Sequence, residues 1–211
     1  MSSIVVAGDT SGSVTLSAPA VANTTVLTLP SVSGTVLTSA TGQTLTAPII
    51  NGMGSSVITS GTAVASTSGT SIDFTGIPSW AKRITIMFNG VSTNGTSIVQ
   101  VQLGNTTIVT TGYLTTSQNM YSTNVYQTQN ITTGFGLNAT GATNTYAGQL
   151  VFTNFSGNTW VGVGAFANTS GAASVYMQGS LALAGTLDRV RITTINGTDT
   201  FDAGSINILW E

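Results

Sequence analysis

The chain has 211 residues, of which 5% are charged, with four Lys or Arg against six Asp or Glu, a formal net charge of −2, and neither His nor Cys. General acids, bases, metal ligands and activated nucleophiles come mainly from the residue types that are missing or scarce here, so a structural or binding role leads over catalysis. The only cations, Lys82, Arg83, Arg189 and Arg191, form two clusters that cannot track a phosphate backbone, which argues against nucleic acid as a partner.

In chain order, the short apolar run at residues 4–7 has no basic flank and does not read as a secretory signal. No run reaches the roughly 18–20 consecutive apolar residues of a membrane span, so no membrane insertion is expected. Absence of Cys fits a cytosolic product as well as a particle exposed outside cells. From Ser11 the chain repeats in blocks of ten: SGSVTLSAPA, VANTTVLTLP, SVSGTVLTSA and TGQTLTAPII. TVLT begins at Thr25 and again at Thr35, and TLSAP from Thr15 returns as TLTAP from Thr44. Each block is a short β-prone run closed by Pro or Gly, a strand-and-turn pattern.

Strands this short, with small side chains, cannot offset chain entropy alone. Val26, Leu27, Val36 and Leu37 therefore need cover, either from the rest of the chain or from other subunits. No heptads are present, which leaves an intertwined β stalk over residues 1–60, with Pro19, Pro30 and Pro48 at bends or edges. A flexible Ser/Thr/Gly linker is the competing reading, and the regular return of apolar residues argues against it. Residues 61–70 read as a linker, and residues 71–211 as a second domain.

In that domain Val99, Val101 and Leu103 alternate with Ile98, Gln100 and Gln102, and Val190 and Ile192 alternate with Arg189 and Arg191. Further strand candidates are 84–89, 149–155, 160–166, 174–178 and 205–210. Turn signals fall at Asn89-Gly90, Asn94-Gly95, Gly157-Asn158 and Asn196-Gly197. Short strands at this spacing without helical periodicity predict an all-β fold, an antiparallel β-sandwich of jelly-roll type. Charge is absent from residues 84–187. Asp73, Lys82 and Arg83 precede the first strong strand, while Asp188, Arg189, Arg191, Asp199 and Asp202 flank the last hairpin; pairing of first and last strands would bring the two groups together as ion pairs and turn ligands at one end of the sandwich. A Ca²⁺ site at Asn196, Asp199 and Asp202 lacks the spacing of a calcium loop, and no spacing selects a carboxylate pair for glycoside hydrolysis. No cofactor or metal is expected.

Residues 110–147 carry Tyr113, Tyr121, Tyr126 and Tyr146 among Asn, Gln, Ser, Thr and Gly. Rings with a polar tip among short amides suit a loop surface that stacks on sugar faces and bonds to hydroxyls. The same tyrosines could instead close the sandwich or a subunit interface. Trp80, Trp160 and Trp210 read as core or interface residues. Asn-x-Ser/Thr sequons follow from the composition and carry no weight.

The run TLPSVSGTVLTSATGQTLTAPIING, at residues 28–52, resembles the threonine-rich sequence that opens the shaft of many tailed-bacteriophage fibre proteins. FTGIPSWAKRITIMFNGVSTNGTS, at 74–97, and LDRVRITTINGTDTFDAGSINILWE, at 187–211, resemble the C-terminal domain of such fibres. The resemblance implies a homotrimeric virion appendage and no enzyme, its N-terminal segment fixed to other tail or capsid proteins and its C-terminal domain facing a host cell-surface glycan. The chain is short for a long tail fibre, so a head fibre or decoration protein is the alternative, and a free carbohydrate-binding module or bacterial adhesin is the second.

Overall fold

The computed structural model describes residues 3–7, 13–17, 58–121 and 126–211, with the backbone alone at 3–7, 13–17 and 126. The chain divides into two units, Met1–Ile49 and Ile50–Glu211. In the first, β1 (Ser3–Ala7) pairs antiparallel with β2 (Ser13–Ser17), with Ser3 opposite Ser17 and Ala7 opposite Ser13. β2 falls in the first repeated block. The later blocks, with Val26, Leu27, Val36, Leu37 and the three prolines of the expected stalk, lie outside the described residues.

The second unit is all-β, and its described residues contain no helix. Its strands are β3 (Thr59–Ser60), β4 (Val64–Ala65), β5 (Ser71–Thr75), β6 (Arg83–Thr93), β7 (Val99–Asn105), β8 (Thr107–Ile108), β9 (Leu114–Tyr121), β10 (Tyr126–Ile131), β11 (Phe135–Gly136), β12 (Tyr146–Ser156), β13 (Thr159–Asn168), β14 (Ala173–Ala182), β15 (Arg189–Thr194) and β16 (Phe201–Trp210). A nine-stranded sheet runs β10-β9-β14-β13-β12-β6-β16-β3, with β4 also on β16; a five-stranded sheet runs β11-β7-β15-β5, with β8 on β7. All pairings in both sheets are antiparallel, and the two sheets enclose one core.

The core follows from period-two alternation. Ile84, Ile86 and Phe88 of β6 and Leu150 and Phe152 of β12 face Val101 and Leu103 of β7 and Val190 and Ile192 of β15 across the sandwich. On β13 the inward positions run Trp160, Gly162, Gly164 and Phe166. The two glycines leave room for neighbouring rings: a Cβ on Gly162 would lie 2.7 Å from Phe135 Cε1 and 2.7 Å from Phe152 Cε1. Those two rings fill the space edge to face, with centroids 4.8 Å apart.

Three expectations are corrected. Residues 61–70 are not a free linker: β4 pairs Val64 with Ile206, the Gly61 amide donates to Ile208 O at 2.7 Å, and the fully buried Ser66 donates its hydroxyl to Ala203 O at 2.8 Å. Asn89-Gly90 is not a hairpin turn, because β6 continues through it as a bulge. Gly90 (φ 68°) faces Gly204 (φ 90°) of β16, and a Cβ on Gly204 would run into the Gly90 carbonyl. The polar stretch 110–147 is not one loop surface either, since it contributes β9, β10 and β11. The inward residues of β9 are Thr115, Ser117 and Asn119, buried polar side chains that hide the alternation from a hydropathy reading. Thr115 Oγ1 donates to Ile131 O at 2.5 Å, and Ser117 Oγ accepts the Asn138 amide at 3.0 Å.

Candidate functional site

Two of the four tyrosines expected on the recognition surface belong to the core. Tyr113 is 1% exposed. Its hydroxyl accepts the Leu103 amide at 2.8 Å and donates to Val109 O at 2.9 Å, taking the place of a strand partner where β8 leaves β7. Tyr146, 3% exposed, donates to Ala139 O at 2.9 Å and accepts from Asn144 Nδ2 at 3.2 Å. Burial pushes the Tyr146 hydroxyl up to about 12 and raises that of Tyr113 further. Neither ring is free to meet a partner, because its polar tip is used by backbone groups inside the sandwich. Tyr121 is half-buried at the end of β9, and the Tyr126 side chain lies outside the described residues. Of the tryptophans, Trp160 is in the core and Trp210 packs against it, whereas Trp80 stands 47% exposed rather than buried.

The charged groups meet as the pairing of early and late strands requires, but at both ends of the sandwich. Register places Arg191 of β15 beside Asp73 of β5, and the guanidinium donates twice to the carboxylate, at 2.7 Å and 2.7 Å. Arg83 pairs with Glu211 at 3.0 Å. Arg189 and then the Thr106 amide hold the Asp188 carboxyl below its ordinary value. At the opposite end of β7 and β15, Asp199 accepts the Ser97 amide at 2.8 Å and Asn196 Nδ2 at 2.6 Å. Asp202 accepts from Ser92 Oγ. Each carboxylate in residues 58–211 thus has a cation or a hydrogen-bond donor of its own, and no group of three potential metal ligands converges among the described residues.

A polar concavity with a volume of about 300 Å³ lies on the face of the five-stranded sheet turned away from the core. It arises from the same alternation that built the core: Val99, Val101 and Leu103 point inward, so Gln100 and Gln102 point out, and Arg191 and Thr193 stand beside them on β15. Cross-strand register gives two parallel rows, Asp73–Arg191–Gln102 and Ser71–Thr193–Gln100. Thr133 closes one side. It donates its hydroxyl to Gln100 Oε1 at 2.8 Å, and its carbonyl accepts Gln102 Nε2 at 2.9 Å. Both glutamines are thereby fixed and nearly covered, at 2% and 5% exposure. Gly134 makes this possible, since a Cβ there would come within 2.7 Å of Gln100 Oε1.

A second depression, of about 340 Å³, lies at Tyr113, Leu114 and Asn130 on the β9–β10 side and is more apolar. The outer face of the large sheet is also uncharged across β14, β13 and β12, where the register sets Gln178, Val163 and Val151 in one row; Val163 is 60% exposed. Sequence alternation put Gln100 and Gln102 on the face opposite Val99, Val101 and Leu103, but nothing local marked Thr133, Arg191 or Thr193 as their neighbours. No protein-family model, curated protein or solved structure matches the chain.

Proposed function

We propose that the chain is a structural subunit of a bacteriophage tail fibre that contributes to host surface recognition and attachment. One observation carries the reading: a β-sandwich whose carboxylates are tied up in structural contacts presents broad neutral faces, and in the sequence it follows a segment of regular threonine-rich repeats. A scaffold of this kind offers shape and hydrogen-bonding groups rather than acid–base chemistry. The repeats suit a shaft assembled from three copies and anchored to tail or capsid proteins, and the sandwich suits its tip.

Imaging of intact particles carrying labelled chain tests the proposal. Label at the distal end of tail appendages is expected. Label on the capsid would replace the tail fibre by a head fibre or decoration protein, and particles lacking the chain that adsorb normally would remove the recognition role.

A further inference from the structure

We infer that the concavity over the five-stranded sheet is a binding site for a neutral pyranose, held through its hydroxyl groups by Gln100, Gln102, Thr110 and Thr193. The identification of that sugar with a host-surface glycan rests on the fibre reading; the site itself does not.

The argument starts from hydrogen-bonding capacity. A primary amide has two donors and one acceptor oxygen. Gln100 spends its oxygen on Thr133, which leaves Nε2 without a partner, and Gln102 spends its nitrogen on Thr133, which leaves Oε1 without one. Neither free atom is sealed off: the fully covered side-chain polar atoms that lack partners among the described residues are the two amide atoms of Asn119 and Trp210 Nε1. The concavity therefore presents a donor and an acceptor on same-face positions two residues apart on β7, each on a side chain already immobilised. Little side-chain entropy remains to be lost when a ligand binds. The exposed Thr110 hydroxyl stands on the rim and can donate or accept, whereas the Thr193 hydroxyl in the next strand donates to Thr70 O at 2.8 Å and offers its oxygen as an acceptor.

This pattern selects among ligand classes. Sugar hydroxyls both donate and accept, so two hydroxyls of one ring satisfy an amide donor and an amide acceptor that stand two residues apart on β7, about 6.6 Å along the strand. A phosphate or carboxylate would need uncompensated cations. The one guanidinium in the concavity, Arg191, is held by two hydrogen bonds to Asp73, so the pair is neutral as a unit. An apolar peptide side chain would strand the free amide atoms. Ile195, 42% exposed at the edge, supplies an apolar surface for the C–H face of a ring. The volume of about 300 Å³ lies at the small end of ligand pockets, which fits one sugar residue of a longer chain rather than an extended oligosaccharide.

The test uses the full chain labelled with ¹⁵N, titrated with the methyl glycosides of glucose, galactose and N-acetylglucosamine, and separately with methyl glucuronide and inorganic phosphate. The side-chain amide resonances of Gln100 and Gln102 are expected to shift saturably with at least one neutral glycoside. Gln102→Met, which keeps length and removes the free acceptor, is expected to weaken that binding about tenfold. Because Gln102→Met also frees the Thr133 carbonyl, Thr110→Val on the exposed rim provides a second variant and is expected to weaken binding without altering the core resonances. No saturable shift with any neutral glycoside, saturation by glucuronide or phosphate alone, or unchanged affinity in both variants overturns the inference. Saturable binding by the purified chain combined with normal adsorption of particles lacking it would sink the recognition role and leave the sugar site standing.

Discussion

Replacing Gly162 by Ala probes how closely the two sheets fit. The added Cβ would meet Phe135 Cε1 at 2.7 Å and Phe152 at 2.7 and 2.8 Å, distances at which the rings must move. Both rings are fully buried and lock against each other at an interplanar angle of 79°. Overpacking of this kind costs about 1–3 kcal/mol. Gly162 does not have a positive φ, so Ala also removes unfolded-state freedom, which returns about 0.4–1 kcal/mol. The net expectation is a loss of up to about 2.6 kcal/mol, about 1.3 kcal/mol at mid-range, which is a fall in Tm of roughly 3–5 °C for a domain of this size. Scanning calorimetry at matched concentration and scan rate measures it. Phe152→Leu shortens the obstructing ring and should cost less in the Gly162→Ala background than in the parent, with a coupling of at least about 0.5 kcal/mol. A Gly162→Ala protein as stable as the parent, or zero coupling with Phe152→Leu, would refute the tight glycine–ring fit.

Alkaline pH should destabilise the sandwich through Tyr146: its folded pKa of about 12 exceeds the ordinary 10.0, so the contribution is complete below 10.0 and is lost as pH rises toward 12. Denaturant titrations at stepped pH should show this decline flattened in Tyr146→Phe, and an unchanged profile would count against it. Tyr113→Phe should cost about 1–3 kcal/mol by stranding the buried Leu103 amide, and a neutral result in the same titration would mean another group takes that proton. Replacing Asn119, fully buried with both amide atoms lacking a partner among the described residues, by Leu should stabilise the domain by about 1–3 kcal/mol; a loss of stability would show that a bound water or another group satisfies it. Light scattering after size exclusion should give a homotrimer, and a monodisperse monomer would defeat the intertwined stalk.

Much of the sandwich was legible because its strands carry their own pattern. Val99, Val101 and Leu103 face the core as their alternation implies, and Gly157-Asn158 joins β12 to β13 as a turn dipeptide should. What stayed hidden depends on partners far along the chain. Asn89-Gly90 has the chemistry of a hairpin turn, and only Gly204 opposite it makes a bulge instead. Val64 and Ala65 look like linker residues until β16, about 140 positions later, pairs with them. β9 buries Ser and Thr rather than Val and Leu, so it carries no hydropathic signature. Tyr113 and Tyr146 have the composition of a contact surface, but their hydroxyls are taken by carbonyls and amides that a sequence does not place beside them. The sugar-site residues come from β7, β15 and the connection between β8 and β9, with the segment before β11 holding the two glutamines, a juxtaposition that no local pattern marks.

That sheet order also fixes a timetable. β15 lies between β7 and β5, and β16 between β6 and β3, yet both follow every other strand of the unit in the chain. During synthesis β6 and β7 emerge with their partners still unmade, and neither sheet can close until β15 and β16 clear the ribosome. At a translation rate of about 5–20 residues per second, the hundred or so residues separating β6 from β16 correspond to a wait of roughly 5–20 s. Throughout that interval the nascent strands have no charges between residues 84 and 187 to keep them apart. Neighbouring chains on one polysome are then each other's most available strand partners, which makes crowded expression the condition under which this fold is most exposed to mispairing.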